Sequence, residues 1–211
     1  NATNALLPLF RRSWLLVPWR IAGFITGALP ALLGPLAVYR TIAAVETFVN
    51  LHYQEQIDKL NALAQEKGLT KDPHIRQRLA QAHIKVEIMR FLGYRTLTAF
   101  MSGNQPGPEA SIGKLWWSEY HKEVTELAVD ILGADALVPF GQTPHTAFTT
   151  DSPGSPNDSA NWAGVFMNAR AGTIYAGTSQ VQRGIVGEQV LGLPKEPRSD
   201  GGPWKNIPGH G

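Results

Sequence analysis

The feature that most constrains this chain is one apolar seam. Ile75, Leu79, Ala82, Val86, Met89 and Gly93 step by 4, 3, 4, 3 and 4 residues, and the pattern continues towards Leu97 and Phe100 before Gly103. Alternating steps of three and four put side chains on one side of an α-helix, whereas a strand would need steps of two. Asp72-Pro73 stands just before the seam. A carboxylate there caps free amides, and proline suits the first helical turn. Such a helix must bury its seam against something. Val45, Phe48, His52, Ile57, Leu60 and Leu63 recur at helical spacing before it, with Gly68 as the stop; Trp116, Tyr120, Val124, Leu127 and Ile131 follow it, with Gly133 as the stop. Short polar connections join the three, including the NQPGPE linker at 104–109. The expected fold class is therefore all-α, an antiparallel helical bundle.

Two stretches break the pattern. Residues 21–39 carry no charged side chain and follow Arg11, Arg12 and Arg20. Their length would suit a bilayer, but Pro30 and Pro35 lie inside, and each costs roughly 3 kcal/mol or more in a helix interior. A buried or irregular segment is the expectation, rather than a membrane-associated one. Residues 139–160, PFGQTPHTAFTTDSPGSPNDSA, have no apolar period and are expected to form a mobile loop. Helical pattern returns from Ser159 to Ala171, a turn follows at Ala176-Gly177, and a helix capped by Thr178 runs to Gly192. The tail 199–211 is expected to be flexible.

Self-contained chemistry is scarce. The chain has no Cys, which excludes disulfides, thiolate metal sites and thiol nucleophiles. Its six histidines lack the i, i+4 pairing of a metal site, so no metal is expected. There is neither a phosphate-binding glycine loop nor a G-x-S-x-G elbow. A formal charge of +2 gives no case for nucleic-acid binding. Glu87 and Arg90, at i and i+3, are expected to pair. Glu119 and His121 should point apart, and Trp116 and Trp117 cannot both face the core.

The segment ARAGTIYAGTSQVQRGIVGEQVLGLP, residues 169–194, resembles the carboxyl-terminal end of the acyl-CoA dehydrogenase family. That family shows an aromatic residue, a Glu, Gly or Ala, a Gly, then Thr or Ser, and a helix ending E-R-x-L-G-L-P. Tyr175, Ala176, Gly177, Thr178, Ser179, Gln180, Gln182, Arg183, Glu188, Leu191, Gly192, Leu193 and Pro194 fill the pattern. The stretches 108–137 and 72–90 are similar to preceding helices of the same domain. The resemblance covers about residues 46–198 and leaves 1–45 as an apolar, Pro- and Gly-containing segment without a match.

By that resemblance the chain is the C-terminal part of an enzyme that uses flavin adenine dinucleotide (FAD) to dehydrogenate acyl-CoA thioesters in fatty acid metabolism. Thr178, Ser179 and Gln180 are then the cofactor candidates, and Gly177 and Ala176 the substrate candidates. A glycine allows close backbone approach, and a helix start offers free amides to an oxygen-rich ligand. The implied partners are acyl-CoA, further subunits of a homo- or hetero-oligomer, and an electron-accepting flavoprotein, in the cytoplasm.

Departures from the family set the expectation for activity. Its reaction removes an α-proton with a carboxylate while the β-hydrogen leaves as hydride. Many members hold that Glu where Ala176 stands; others place it about ten residues after a step like Trp19-Arg20-Ile21-Ala22, where Leu29 and Pro30 stand here. No catalytic residue is therefore assigned, although the Ala176 N–H could polarise a thioester carbonyl. The family's R-x-x-F-G step is also missing near 50–60. Residues 1–45 are read as divergent or frame-disrupted, and the chain is expected to be inactive alone. The alternatives are a non-catalytic helical partner subunit of a flavin enzyme, or a membrane-associated helical protein.

Overall fold

The computed structural model describes residues 21, 24–25, 28–104, 107–141 and 155–195. Among these residues every regular element is helical. Four long helices carry the architecture: α1 (Pro35–Glu66), α2 (Pro73–Met101), α3 (Ala110–Leu132) and α4 (Ser159–Gly172). A 3₁₀ turn, Gly133–Ala136, extends α3, and the short α5 (Ser179–Ile185) runs into a π turn, Val186–Val190. In space α1 packs on α2, α2 on α3, and α3 on α4. The expected antiparallel bundle is the observed one.

Local chemistry sets the helix ends. The Asp72 carboxylate accepts from the amides of His74 and Ile75 at 2.8 and 3.0 Å, with Pro73 in the first turn. Asp158 does the same for Asn161 at 2.8 Å. At the far end of α1, Gly68 adopts φ 69°, its amide donating to Gln65 O and that of Leu69 to Ala64 O. This paired closure satisfies two of the carbonyls left open by a helix end. Gly103 closes α2 in the same way, through Phe100 O and Ala99 O.

Tyr53, Ile57, Leu60, Leu63, Ala82, Val86, Tyr120, Val124, Leu127, Ile131 and Trp162 form the buried core. The seam on α2 thus points inward as expected, as do Tyr120, Val124, Leu127 and Ile131 on α3, but Trp117 rather than the expected Trp116 packs against this core. Tyr53 meets Tyr120 edge to face with centroids 5.6 Å apart. Each such large apolar side chain contributes about 1.5–3 kcal/mol by leaving water. Two ion pairs display the α2–α3 register: Arg78 with Asp130, and Lys85 with Glu123. Seven residues forward on one helix match seven backward on the other, as antiparallel packing requires. Both pairs are partly solvated, so each adds roughly 0–1 kcal/mol.

Three expectations meet the structure differently. Pro35 does not interrupt a helix; it begins one, after Gly34 at φ 94°. At that first position its missing N–H removes no helix bond. The apolar run is also not buried: its described residues are mostly helical, and Phe24, Leu29, Leu32, Leu33 and Leu36 are exposed. No helix among the described residues is long and apolar enough to cross a membrane. Finally, the described ends of the 139–160 stretch are tied together. Phe140 N donates to Ser159 Oγ at 2.7 Å, Ala160 N donates to Phe140 O at 3.1 Å, and Asn157 Nδ2 reaches Lys59 O on α1 at 3.1 Å. Residues 142–154, the tail 199–211 and the side chains of Val45 and Phe48 lie outside the described residues.

Candidate functional site

The turn between α4 and α5 is built by consecutive left-handed residues. Ala176 has φ 53° and Gly177 has φ 89°. Among the described residues Ala176 is the one non-glycine in that region, a conformation costing an L-residue roughly 1–2 kcal/mol. Several groups hold it there. Gln182, itself buried, donates from Nε2 to Ala176 O at 2.8 Å. Lys114 on α3 donates from Nζ to Gly177 O at 2.6 Å and to Gly172 O at 3.0 Å. One ammonium therefore ties the end of α4 to the turn.

The expected ligand residues divide by position. Thr178 caps α5, its Oγ1 accepting from Val181 N at 3.2 Å. Ser179 is buried; its Oγ donates to Glu119 Oε1 at 2.6 Å and its amide to Thr173 O at 3.1 Å. Both its donors are thus engaged inside the protein, so Ser179 supports the turn rather than presenting a donor to solvent. Gln180 is exposed, as is Ala176, while Gly177 and Thr178 are half-buried. Among the described residues the amides of Ala176 and Gly177 have no protein acceptor. The regular part of α5 has only seven residues, so a dipole argument for its start is weaker than the sequence alone implies.

Glu119 is the carboxylate that the turn touches, and it is occupied by Ser179 and, at 3.5 Å, by Arg183 Nη2. His121 faces elsewhere, stacked on Trp117 with centroids 5.9 Å apart. Trp117 in turn meets Tyr175 of the turn at 6.3 Å, and burial pushes the Tyr175 phenol above its ordinary range. Trp116 goes the other way, donating from Nε1 to Lys85 O at 3.1 Å. Trp117 also walls a cavity of about 220 Å³, shared with Tyr53, Met89, Gly93, Ile112 and Gly113. Among the described residues no three His, Asp or Glu gather as a metal site.

Lys114 carries no signal in the sequence, and Glu119 stands out there only beside His121. Lys114, Trp117 and His121 do lie at i, i+3 and i+7, the spacing of one helix face, but nothing local shows that this face meets a turn some sixty residues on.

Comparison with known proteins fits this geometry. Residues 51–191 match the family model of the acyl-CoA dehydrogenase C-terminal domain, and residues 4–89, under half of the chain, match that of ubiquinone biosynthesis protein COQ7. Acyl-CoA dehydrogenase IpdE1 of Mycolicibacterium smegmatis is 30% identical over 84% of this chain and 37% of its own. IpdE1 of Mycobacterium tuberculosis is 31% identical over 68% and 33%. The Mycolicibacterium alignment is longer than the 46–198 stretch and so includes sequence outside it. Among solved structures, the Tcur3481-Tcur3483 steroid ACAD shares the fold, with a TM-score of 0.54 and 23% identity over 76% of this chain and 38% of that one. The chain spans about a third of the length of the curated relatives it matches. With two thirds of its residues matching that domain, the chain belongs to the acyl-CoA dehydrogenase family.

Proposed function

We propose that this chain is the C-terminal helical part of an FAD-dependent acyl-CoA dehydrogenase and that, alone, it does not dehydrogenate acyl-CoA. The observation carrying this reading is Ala176. The turn offers an exposed methyl group where many family members hold their base, and a methyl group takes no proton. Glu119 cannot substitute without giving up Ser179 and Arg183. A useful base needs a carboxylate free to approach the α-carbon within hydrogen-bond reach.

The exposed edge of the turn fits an oxygen- and nitrogen-rich ligand such as the flavin. Gln180 presents its amide there, and the Ala176 and Gly177 N–H groups have no protein acceptor among the described residues. Gln180 and Thr178 would hold the group, with Ser179 supporting them from below; Gly177 and Ala176 would border the acyl-CoA. When bound, FAD supplies the acceptor for the β-hydrogen as hydride. The chain's own part is to orient, through a turn fixed by Lys114 and Gln182, and to donate a backbone N–H towards a thioester oxygen.

The purified chain is to be mixed with FAD and an acyl-CoA, with an artificial electron acceptor reporting turnover and flavin fluorescence reporting binding. No turnover is expected. Turnover at the rates ordinary for enzymes, roughly 1–1,000 per second, overturns the reading.

A further inference from the structure

Beyond Gly93 no residue of α2 is buried. Thr96 and Ala99 there line, with the first turns of α3, the cavity of about 220 Å³ that Trp117 walls. Its walls come from three helices of the bundle, and Tyr53 of α1 and Gly93 of α2 are buried within it. Protein interiors are close-packed, and a void forfeits the dispersion contacts of its lining. Small residues keep this one open. Gly113 lies inside α3, where glycine is less stable than alanine. A Cβ added to it meets nothing within 4 Å, so no close backbone approach requires the glycine. What the missing side chain preserves is space beside Trp117.

Size and chemistry define the occupant. A dry cavity of about 150 Å³ holds one benzene ring. The 220 Å³ here suits one or two fused rings. Drug-sized ligands need roughly 300–1,000 Å³, so flavin and coenzyme A are too large. The rings of Tyr53 and Trp117 and the Met89 thioether favour an aromatic body. Arg95 and Glu109 are the charged residues on the lining, and their opposite signs select no ion. Glu109 Oε1 accepts from Gly107 N at 3.2 Å. A carboxylate has about four acceptor sites, so Glu109 keeps capacity for a further N–H or O–H.

We infer that this cavity is a binding site for a small neutral aromatic molecule of one or two fused rings that carries an N–H or O–H donor. Trp117 borders both the cavity and Tyr175, so the occupant sits beside the turn without using Ala176, Gly177, Thr178 or Gln180.

The test titrates indole into the full chain by isothermal titration calorimetry, with benzofuran, the same shape without the N–H, alongside. Indole should bind one to one with sub-millimolar affinity, and benzofuran at least threefold more weakly. Glu109→Ala should bring the two within twofold of each other. Gly113→Leu fills the space from a helical position. It should weaken indole at least tenfold while the thermal midpoint stays or rises, which a misfolded variant would not show. If leucine lowers the midpoint, Gly113→Ala, whose Cβ has room, decides, with at least twofold weaker binding expected. No saturable heat with indole, the result if a side chain of further sequence plugs the space, overturns the inference. So does wild-type affinity in a folded Gly113 variant, or equal binding of indole and benzofuran.

Discussion

Replacing Gly177 by Ala tests the turn most directly. Gly177 has φ 89°, and a Cβ added there would lie 2.7 Å from Gln182 Nε2, the atom that donates to Ala176 O. Two costs follow. The left-handed backbone penalises an L-residue by roughly 1–2 kcal/mol. The displaced Gln182 amide loses a hydrogen bond worth about 1 kcal/mol net. Lower entropy of the unfolded alanine chain returns roughly 0.5 kcal/mol. The expected loss is about 2 kcal/mol, or roughly 30-fold in the folding constant. Urea unfolding followed by circular dichroism should show a lower midpoint at constant slope. In a Gln182→Ala background the same substitution should cost only about 1 kcal/mol, since the bond is already gone. A loss below about 0.5 kcal/mol, or an identical loss in both backgrounds, would refute the reasoning.

Ala176→Gly should act in the opposite direction: releasing a φ of 53° gains more than glycine's entropy costs, for a net stabilisation of about 0.5–1 kcal/mol in the same unfolding assay. Asp72→Ala removes both side-chain bonds at the start of α2 and should cost about 1 kcal/mol, read as a lower urea midpoint. The Glu109 carboxyl is held below its ordinary value by hydrogen bonds from its own amide and that of Gly107, helped by Arg95. Its ionised form therefore contributes stability above the unfolded value of 4.5, which is lost as pH falls through the folded value. Nuclear magnetic resonance titration should find the Glu109 carboxyl titrating below the ordinary glutamate value, and Glu109→Gln should flatten the acid limb of the stability profile.

Much of the architecture was legible because its causes are local. The 4-3-4-3-4 spacing of Ile75 to Gly93 shows a helix face, Asp72-Pro73 shows where it starts, and Gly68, Gly103 and Gly133 show where helices stop. Proline is different, since its effect depends on position. The sequence gives no way to tell Pro35 inside a helix from Pro35 at its first residue, and the structure puts it first. Burial of the 21–39 run is also not a local property. Its described apolar residues are mostly exposed, so hydrophobicity alone does not place a segment inside. The candidate site was half legible: Ala176-Gly177-Thr178 announce a turn and a cap, but Lys114 and Glu119 reach it across sixty residues.

The sequence by itself determined the helices, their ends apart from the start of α1, the family and the missing glutamate at position 176, because period, capping and residue identity all act over a few neighbouring residues. Only the tertiary structure decided that Ser179 turns inward to Glu119, that Lys114 ties α3 to the turn, and that a cavity opens between α2 and α3 beside Trp117. Those outcomes depend on which helix surfaces meet, and packing between distant segments sets that.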